Sequence, residues 1–278
     1  MKNYKLSDET KTLSDGTVLR RVVATTTFIL ACGLVVNAGD VGGWIEKASN
    51  LTGNAWVADN AEVSGDAKVF GSALISDNAT VRDNAKVSGS AHISDDAWIY
   101  DRAEVSCNAL VYGYAEVGDD AQIFSNAKVG DYALVSGEAQ IFGNAKVSDK
   151  ALVSGYTQVF GSACIGDNAR ILDNARVFDN AWVYDDAQIH GDAQVYGVAQ
   201  VYGDAEVYGA AQISGDTWVY DNAKVYGDAW LCGSILVANS TQVSCNDRVY
   251  GNAQVYGGAQ VSGATRVYGK AEIADDPQ

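Results

Sequence analysis

Two histidines, His92 and His190, five cysteines and a recurring aspartate are the side chains of this 278-residue chain best suited to chemistry. A histidine can act as a general base near neutral pH. Aligned carboxylates can hold a divalent cation between them. A zinc centre with three histidine ligands is out of reach of a chain with two histidines. Cys32, Cys107, Cys164, Cys232 and Cys245 show no metal-type spacing. Their odd number fits free thiols in a reducing, cytoplasmic compartment better than a disulfide framework. No phosphate-binding glycine loop, nucleophile elbow or Cys/His constellation occurs in the sequence. The catalytic candidates are therefore His92 and His190. The cation candidates are Asp59, Asp77, Asp95, Asp131, Asp149, Asp167 and Asp185. Each has a plainer alternative: the histidines are surface residues, and each aspartate bonds the amides of its own turn and faces water. No cofactor is expected.

The elements that position these residues follow from a six-residue rhythm. From Ile45 to Ile273 every sixth residue is Val, Ile or Leu, through 39 hexads without insertion or deletion. Two residues earlier stands a small residue, nearly always Ala as at Ala55, Ala61 and Ala67, occasionally Thr157 or Thr217. Two residues later stands Gly or Asp in nearly every hexad, commonly followed by Asn or Asp. Small, any, aliphatic, any is the alternation of a strand, so the Ala and the aliphatic point inward. Gly, Asp and Asn then turn the chain. A six-residue apolar period holds no face of a helix, so helices are excluded. The inward Ala faces a narrow core, and a Leu there is expected not to fit.

A longer memory fixes the number of sides. Residues 121–138 and 139–156 agree at 14 of 18 positions. Grouped by threes, the hexads place Phe124, Phe142, Phe160, Phe178 and Tyr196 on one face and the aspartates Asp59 to Asp185 at one corner. Three sides per coil bring such residues into register, about 4.8 Å apart per coil. The 39 hexads then make 13 coils of a triangular prism, about 60 Å long at that spacing. Residues 43–276 are assigned to this solenoid and 1–42 to an N-terminal cap, with Ser14-Asp15-Gly16 turning a hairpin between Thr10–Leu13 and Thr17–Ala24. At the other end Asp275, Asp276 and Pro277 are expected to oppose strand addition. The apolar run from Thr27 to Val36 is too short to span a bilayer. It loosely imitates a secretion signal, but reads better as a buried strand.

The motif aliphatic, any, Gly/Asp, Asn/Asp, Ala, any resembles the hexapeptide repeat of left-handed parallel β-helices over about residues 45–276. That resemblance implies left-handed coiling. The preceding segment, with Arg21-Val22-Val23-Ala24, Phe28, Gly39-Asp40-Val41-Gly42-Gly43-Trp44-Ile45-Glu46, Asn50-Leu51 and Gly53-Asn54-Ala55-Trp56-Val57, is similar to the YdcK-like proteins, a subgroup classed with the transferases. A longer apolar stretch separates Phe28 from Gly39 than that subgroup's pattern has. The resemblance also implies an association with phages and prophages. Well-studied relatives of this fold are acyltransferases using acyl-CoA, with a catalytic histidine near a subunit boundary and a loop that escapes the helix. Here both histidines point outward, lie on different faces, and no loop interrupts the hexads.

Net charge of -16 argues against direct binding to nucleic acid or to an anionic membrane surface. The expectation is an all-β, acidic solenoid acting as a structural or protein-interaction scaffold rather than an enzyme. A dimer or trimer is expected through the Phe124, Phe142, Phe160, Phe178 and Tyr196 face. A second aromatic patch, Trp182, Tyr184, Tyr202, Trp218 and Tyr220, suits a sugar or a subunit contact. The alternatives are a CoA-dependent acyltransferase with an intersubunit site, and an acidic mimic of DNA that blocks a DNA-binding protein.

Overall fold

The computed structural model describes residues 2–244, 247–263 and 266–274. Cys245 and the terminal Asp275, Asp276 and Pro277 lie outside the described residues. All described regular structure is β, with no helix. The chain forms two compact units, Met1–Glu138 and Ala139–Gln278.

The first unit begins with the hairpin. Strand β1 (Tyr4–Thr12) runs antiparallel to β2 (Val18–Ala24), with an irregularity between Leu6 and Thr10. The turn is closed by Leu13 N–H to Thr17 C=O (2.9 Å), and Thr17 N–H donates to Asp15 Oδ1 (2.8 Å). Gly16 sits at φ +89°, a conformation costly for other residues. Strand β2 then pairs antiparallel with β5 (Val41–Ile45), which pairs parallel with Glu62–Val63 and so joins cap to coil. That junction explains Gly42-Gly43. A Cβ on Gly42 would drive into the Val57 carbonyl, and one on Gly43 would lie 2.5 Å from the Ala61 carbonyl. Arg21 clamps the same seam, donating to Gly42 O (2.7 Å) and Asp59 O (2.8 Å) with its guanidinium 4.4 Å from the Trp44 ring centre.

The apolar run Thr27–Val36 is not one buried strand. It folds as a small hairpin of β3 (Phe28–Ile29) and β4 (Val35–Val36), turning at Gly33. Leu30 and Val36 are buried, whereas Ile29, Leu34 and Val35 are exposed. The reason is alternation: a two-stranded ribbon has only one face to bury.

Three rows of very short strands follow, each strand pairing parallel with its counterpart one coil later. Glu62–Val63, Thr80–Val81, Trp98–Ile99, Glu116–Val117 and Leu134–Val135 form the first face. Lys68–Val69 to Gln122–Ile123 form the second. Trp56–Val57 to Lys128–Val129 form the third. The inward Ala and aliphatic of these coils are buried, as at Ala79, Val81, Ala85 and Val87. Burying each aliphatic side chain contributes about 1.5–3 kcal/mol.

The second unit repeats this plan. Leu152–Val153 to Gln260–Val261 make its first face, Gln140–Ile141 to Arg266–Val267 its second, and Lys146–Val147 to Glu272–Ala274 its third. One coil departs from it. Its three small inward positions hold Ile235, Thr241 and Asp247, all buried to within 1%. The expectation that a large residue cannot occupy that position is thus corrected by Ile235. Nearby, the second-face strands Gln212–Gly215, Trp230–Gly233 and Arg248–Gly251 are longer than their counterparts in the regular coils. Their Ser214–Cys232–Tyr250 and Gly215–Gly233–Gly251 registers continue the ladder where other coils turn. The corner beside Ile235 departs from the regular turn, with Gly233 at φ +135° and a Cβ there driving into the Gly251 carbonyl oxygen.

Candidate functional site

Each corner aspartate sits in the left-handed region, as at Asp59 (φ +52°), Asp77 (+59°) and Asp95 (+56°) in the first unit. The turn is closed by the Ala two residues on, with Ala79 N–H donating to Ser76 C=O (3.2 Å). Asp131 holds the same conformation at its corner (+59°). The sequence suggested that the carboxylates bond the amides of their own turns; the structure gives them partners across the coils. They accept from the amide at the same corner one coil later. Asp77 N–H donates to Asp59 Oδ2 (3.3 Å), Asp95 N–H to Asp77 Oδ2 (3.3 Å) and Gly113 N–H to Asp95 Oδ2 (2.9 Å). In the second unit Asp167 N–H donates to Asp149 Oδ2 (3.3 Å), Asp185 N–H to Asp167 Oδ2 (3.3 Å) and Gly203 N–H to Asp185 Oδ2 (3.1 Å). The physical reason is accounting. The neighbouring amides are already used, with Ser76 N–H bonding Ile93 O and Asn78 N–H bonding Asp95 O across the coils. The corner amide would otherwise lack a protein partner. Among the described residues no three His, Cys, Asp or Glu side chains group to hold a metal ion.

His92 stands on the third face of the first unit, paired in register with Leu74 and Leu110. It is half-buried, and its Nε2 lies 2.9 Å from Ser76 Oγ. Ser76 is buried and donates to Asp77 Oδ2 (2.8 Å). With the hydroxyl proton on the carboxylate side, His92 must donate through Nε2–H. Burial pushes the His92 pKa down, opposed by the charges of Asp77 and Asp95, which fits a neutral ring. The order is Asp–Ser–His. Activating a hydroxyl needs Asp–His–Ser, with the imidazole positioned to take the proton. Nothing in the hexad pattern marks Ser76 as the partner. The link from Ser76 to His92 falls short of the coil repeat because it crosses a row of the face as well as a coil.

His190, in the second unit, stacks on Tyr208 (centres 5.0 Å apart), and its Nδ1 lies 3.9 Å from Asp173 Oδ2. The structure does not bring the two histidines into one site within either unit.

The aromatic rows of the second unit are ladders. Phe142, Phe160, Phe178 and Tyr196 stack with centres 4.8, 4.8 and 4.9 Å apart and planes within 2°. Arg176 lies over Phe160 and Phe178 at 5.4 and 5.5 Å. These rings cover one another and are half-buried, as is Phe124 in the first unit. On the third face Tyr184, Tyr202 and Tyr220 stack likewise, at 4.9 and 5.0 Å. Burial first, then the neighbouring tyrosines, pushes the Tyr202 pKa up to about 12. Beside this ladder Trp182 and Trp218 stay open, 53% and 39% exposed. A groove of about 460 Å³ lies against Trp182 and Tyr184, floored by Cys164 and Gly166 and closed by Lys146 and Ser148. Burial raises the Cys164 pKa, so its thiol stays protonated, while the charge of Lys146 works against that rise.

A family model described as YdcK Beta solenoid repeat matches residues 199–215, one coil of the second unit that includes Gln200 and Tyr202. No curated protein matches the chain. The match and the fold agree that this is a β-solenoid repeat protein. No helix among the described residues is long and apolar enough to cross a membrane.

Proposed function

We propose that the protein is a structural or protein-interaction scaffold of the cytoplasm, related to the YdcK-like subgroup and phage-associated, that self-associates as a dimer or trimer. One observation carries the reading. The polar side chains best suited to chemistry are committed to holding coil to coil, while large aromatic surface is left for contact. Corner aspartates cap the next coil's amides, His92 is tied to Ser76, and ions pair across coils, as in the exposed Lys86–Glu104 (2.6 Å) and the half-buried Lys224–Glu206 (3.0 Å). Exposed pairs of this kind contribute at most about 1 kcal/mol each, so their role is register rather than bulk stability. The half-buried Phe142, Phe160, Phe178 and Tyr196 edges, rimmed by Arg176, are the proposed subunit contact.

Light scattering at tens of micromolar tests this. The parent should be a dimer or trimer, and Phe142→Glu with Phe160→Glu should give a folded monomer with its β-type circular dichroism retained. A monomeric parent overturns the contact. An acetyl-CoA titration by calorimetry should give no saturable heat. Saturable binding lost in His92→Ala or His190→Ala would instead favour the acyltransferase reading. Capture of a basic, DNA-binding protein by the chain would favour the DNA-mimic reading.

A further inference from the structure

We propose that the third face of the second unit binds an extended, neutral, β-1,4-linked glycan along the row Cys164, Trp182, Gln200, Trp218. The row is in strict register, one residue per strand. Adjacent rings of the neighbouring tyrosine ladder measure the strand spacing at 4.9 and 5.0 Å, so the two indoles lie about 10 Å apart. One strand spacing is close to the length of a pyranose ring along an extended chain. Successive sugars of a β-1,4-linked glycan are turned over, so every second sugar offers the same face to the same side. Aromatic, amide, aromatic is the matching sequence of groups: Trp182 and Trp218 meet the C–H faces of alternate sugars, and Gln200 meets the hydroxyls of the sugar between.

The groups are held ready for this. Trp218 Nε1–H donates to Asp216 Oδ1 (3.2 Å), and its ring packs edge-on to Tyr202 (6.4 Å). The Tyr184 hydroxyl donates to Gln200 Oε1 (3.3 Å), which engages the amide oxygen and leaves its N–H groups to donate. The self-stacked phenylalanines have buried their ring faces, whereas the two indoles have not. Gly166 interrupts the row of larger side chains between Ser148 and Tyr184. The groove it leaves gives room for a further sugar beyond Trp182, with the exposed Lys146 as a hydrogen-bonding partner. The corner aspartates Asp149, Asp167 and Asp185 run alongside, and the chain carries a net charge of -16. That field disfavours uronic or sulfated glycans and selects a neutral chain.

This site lies on a different face from the proposed subunit contact, so the two readings fail separately. The probes are cellohexaose and chitohexaose, followed by calorimetry and indole fluorescence. At least one should bind, with the corresponding disaccharide at least tenfold weaker because it cannot span both indoles. Trp182→Ala and Trp218→Ala should each weaken binding tenfold or more without changing melting temperature, and Phe142→Glu with Phe160→Glu should leave it unchanged. Absence of binding at millimolar hexasaccharide, equal binding of a heparin-derived hexasaccharide, or binding indifferent to both indole substitutions would overturn the proposal. So would a fall in oligomer mass in the Trp182→Ala, Trp218→Ala variant without any glycan effect, which would assign the face to a subunit contact.

Discussion

Within the second unit, the coil at 181–195 and the coil at 235–249 have the same length but different interiors, and the second-face pairing of the latter is longer. The first lines its core with Ala181, Ala187 and Ala193 beneath Val183, Ile189 and Val195. The second replaces all three alanines, with Ile235, Thr241 and Asp247, and keeps Val237, Val243 and Val249 buried. Both hold their ladders, with Trp218 N–H to Ile235 O, Lys224 N–H to Thr241 O and Trp230 N–H to Asp247 O all at 2.8 Å. The difference teaches that the fold demands a filled ring, and that Ala is the usual way to fill it; the buried Thr241 hydroxyl fills its place without a hydrogen-bond partner. Where volume is added, the adjoining corner leaves the regular turn, with Gly233 at φ +135° and the strand pairing extended through it. Where a carboxyl group is added, it accepts from a backbone amide, with Ser244 N–H donating to Asp247 Oδ2 (3.4 Å).

Substitutions can break this comparison. The largest effect is expected for Val195→Asp in the regular coil, where the new carboxylate replaces a fully buried aliphatic side chain. It should cost about 3–5 kcal/mol in urea unfolding, and a cost like that of the outward Gln194→Ala would show that the inward assignment is wrong. Ile235→Ala should follow, at about 2–5 kcal/mol, since it removes a fully buried side chain and leaves a cavity. Ala199→Ile, at the same inward position two coils earlier, should cost about 1–3 kcal/mol by overpacking. If it proves neutral, the regular coils open as readily as the irregular one and the contrast dissolves.

Threonines sharpen it further. The Thr217 hydroxyl donates to Ser214 O (2.7 Å), whereas the buried Thr157 hydroxyl has no partner. Thr157→Ala should therefore raise stability, and Thr217→Ala should lower it, each by about 1 kcal/mol. Equal signs in thermal melts would refute the assignment of partners. The smallest effect concerns His92 of the first unit. Its folded pKa is lowered, so the unfolded chain takes up the proton first. Stability supplied by the neutral ring is complete above the ordinary histidine value of 6.5 and declines as pH falls from there through the lower folded value. His92→Gln should flatten that part of the melting-temperature profile, and an unaltered slope would place the proton uptake elsewhere.

Much of this architecture was legible in the residues. Val, Ile or Leu at every sixth position from Ile45, and the likeness of 121–138 to 139–156, fix inward and outward and the number of sides. Ser14-Asp15-Gly16 marked the hairpin turn. What escaped depends on which neighbour a side chain reaches. Asp59 is a good turn residue on its own, and only the coil stack puts its carboxylate beside the amide of Asp77. His92 finds Ser76 by crossing both a coil and a row. The replacement of alanine at 235, 241 and 247 stands in the sequence, but each change alone reads as a flaw; only side by side in one coil do they form a filled ring. The aromatic rows were visible as rows, yet the spacing does not distinguish the phenylalanines that cover each other from the indoles that remain open.

The corner carboxylates also bear on how such a chain is made. Each accepts from the coil that follows it in sequence, so every finished coil presents acceptors that the next coil can fill. A ribosome adding about 5–20 residues per second delivers one coil in roughly 1–4 seconds, whereas a short strand closes onto its neighbour in about 1–10 microseconds. Pairing Thr80–Val81 with Trp98–Ile99, one coil on, closes only the loop of that single coil. The nascent chain can therefore lay down its coils in the order of synthesis, starting on the hairpin, with the newest edge exposed only until the next coil emerges.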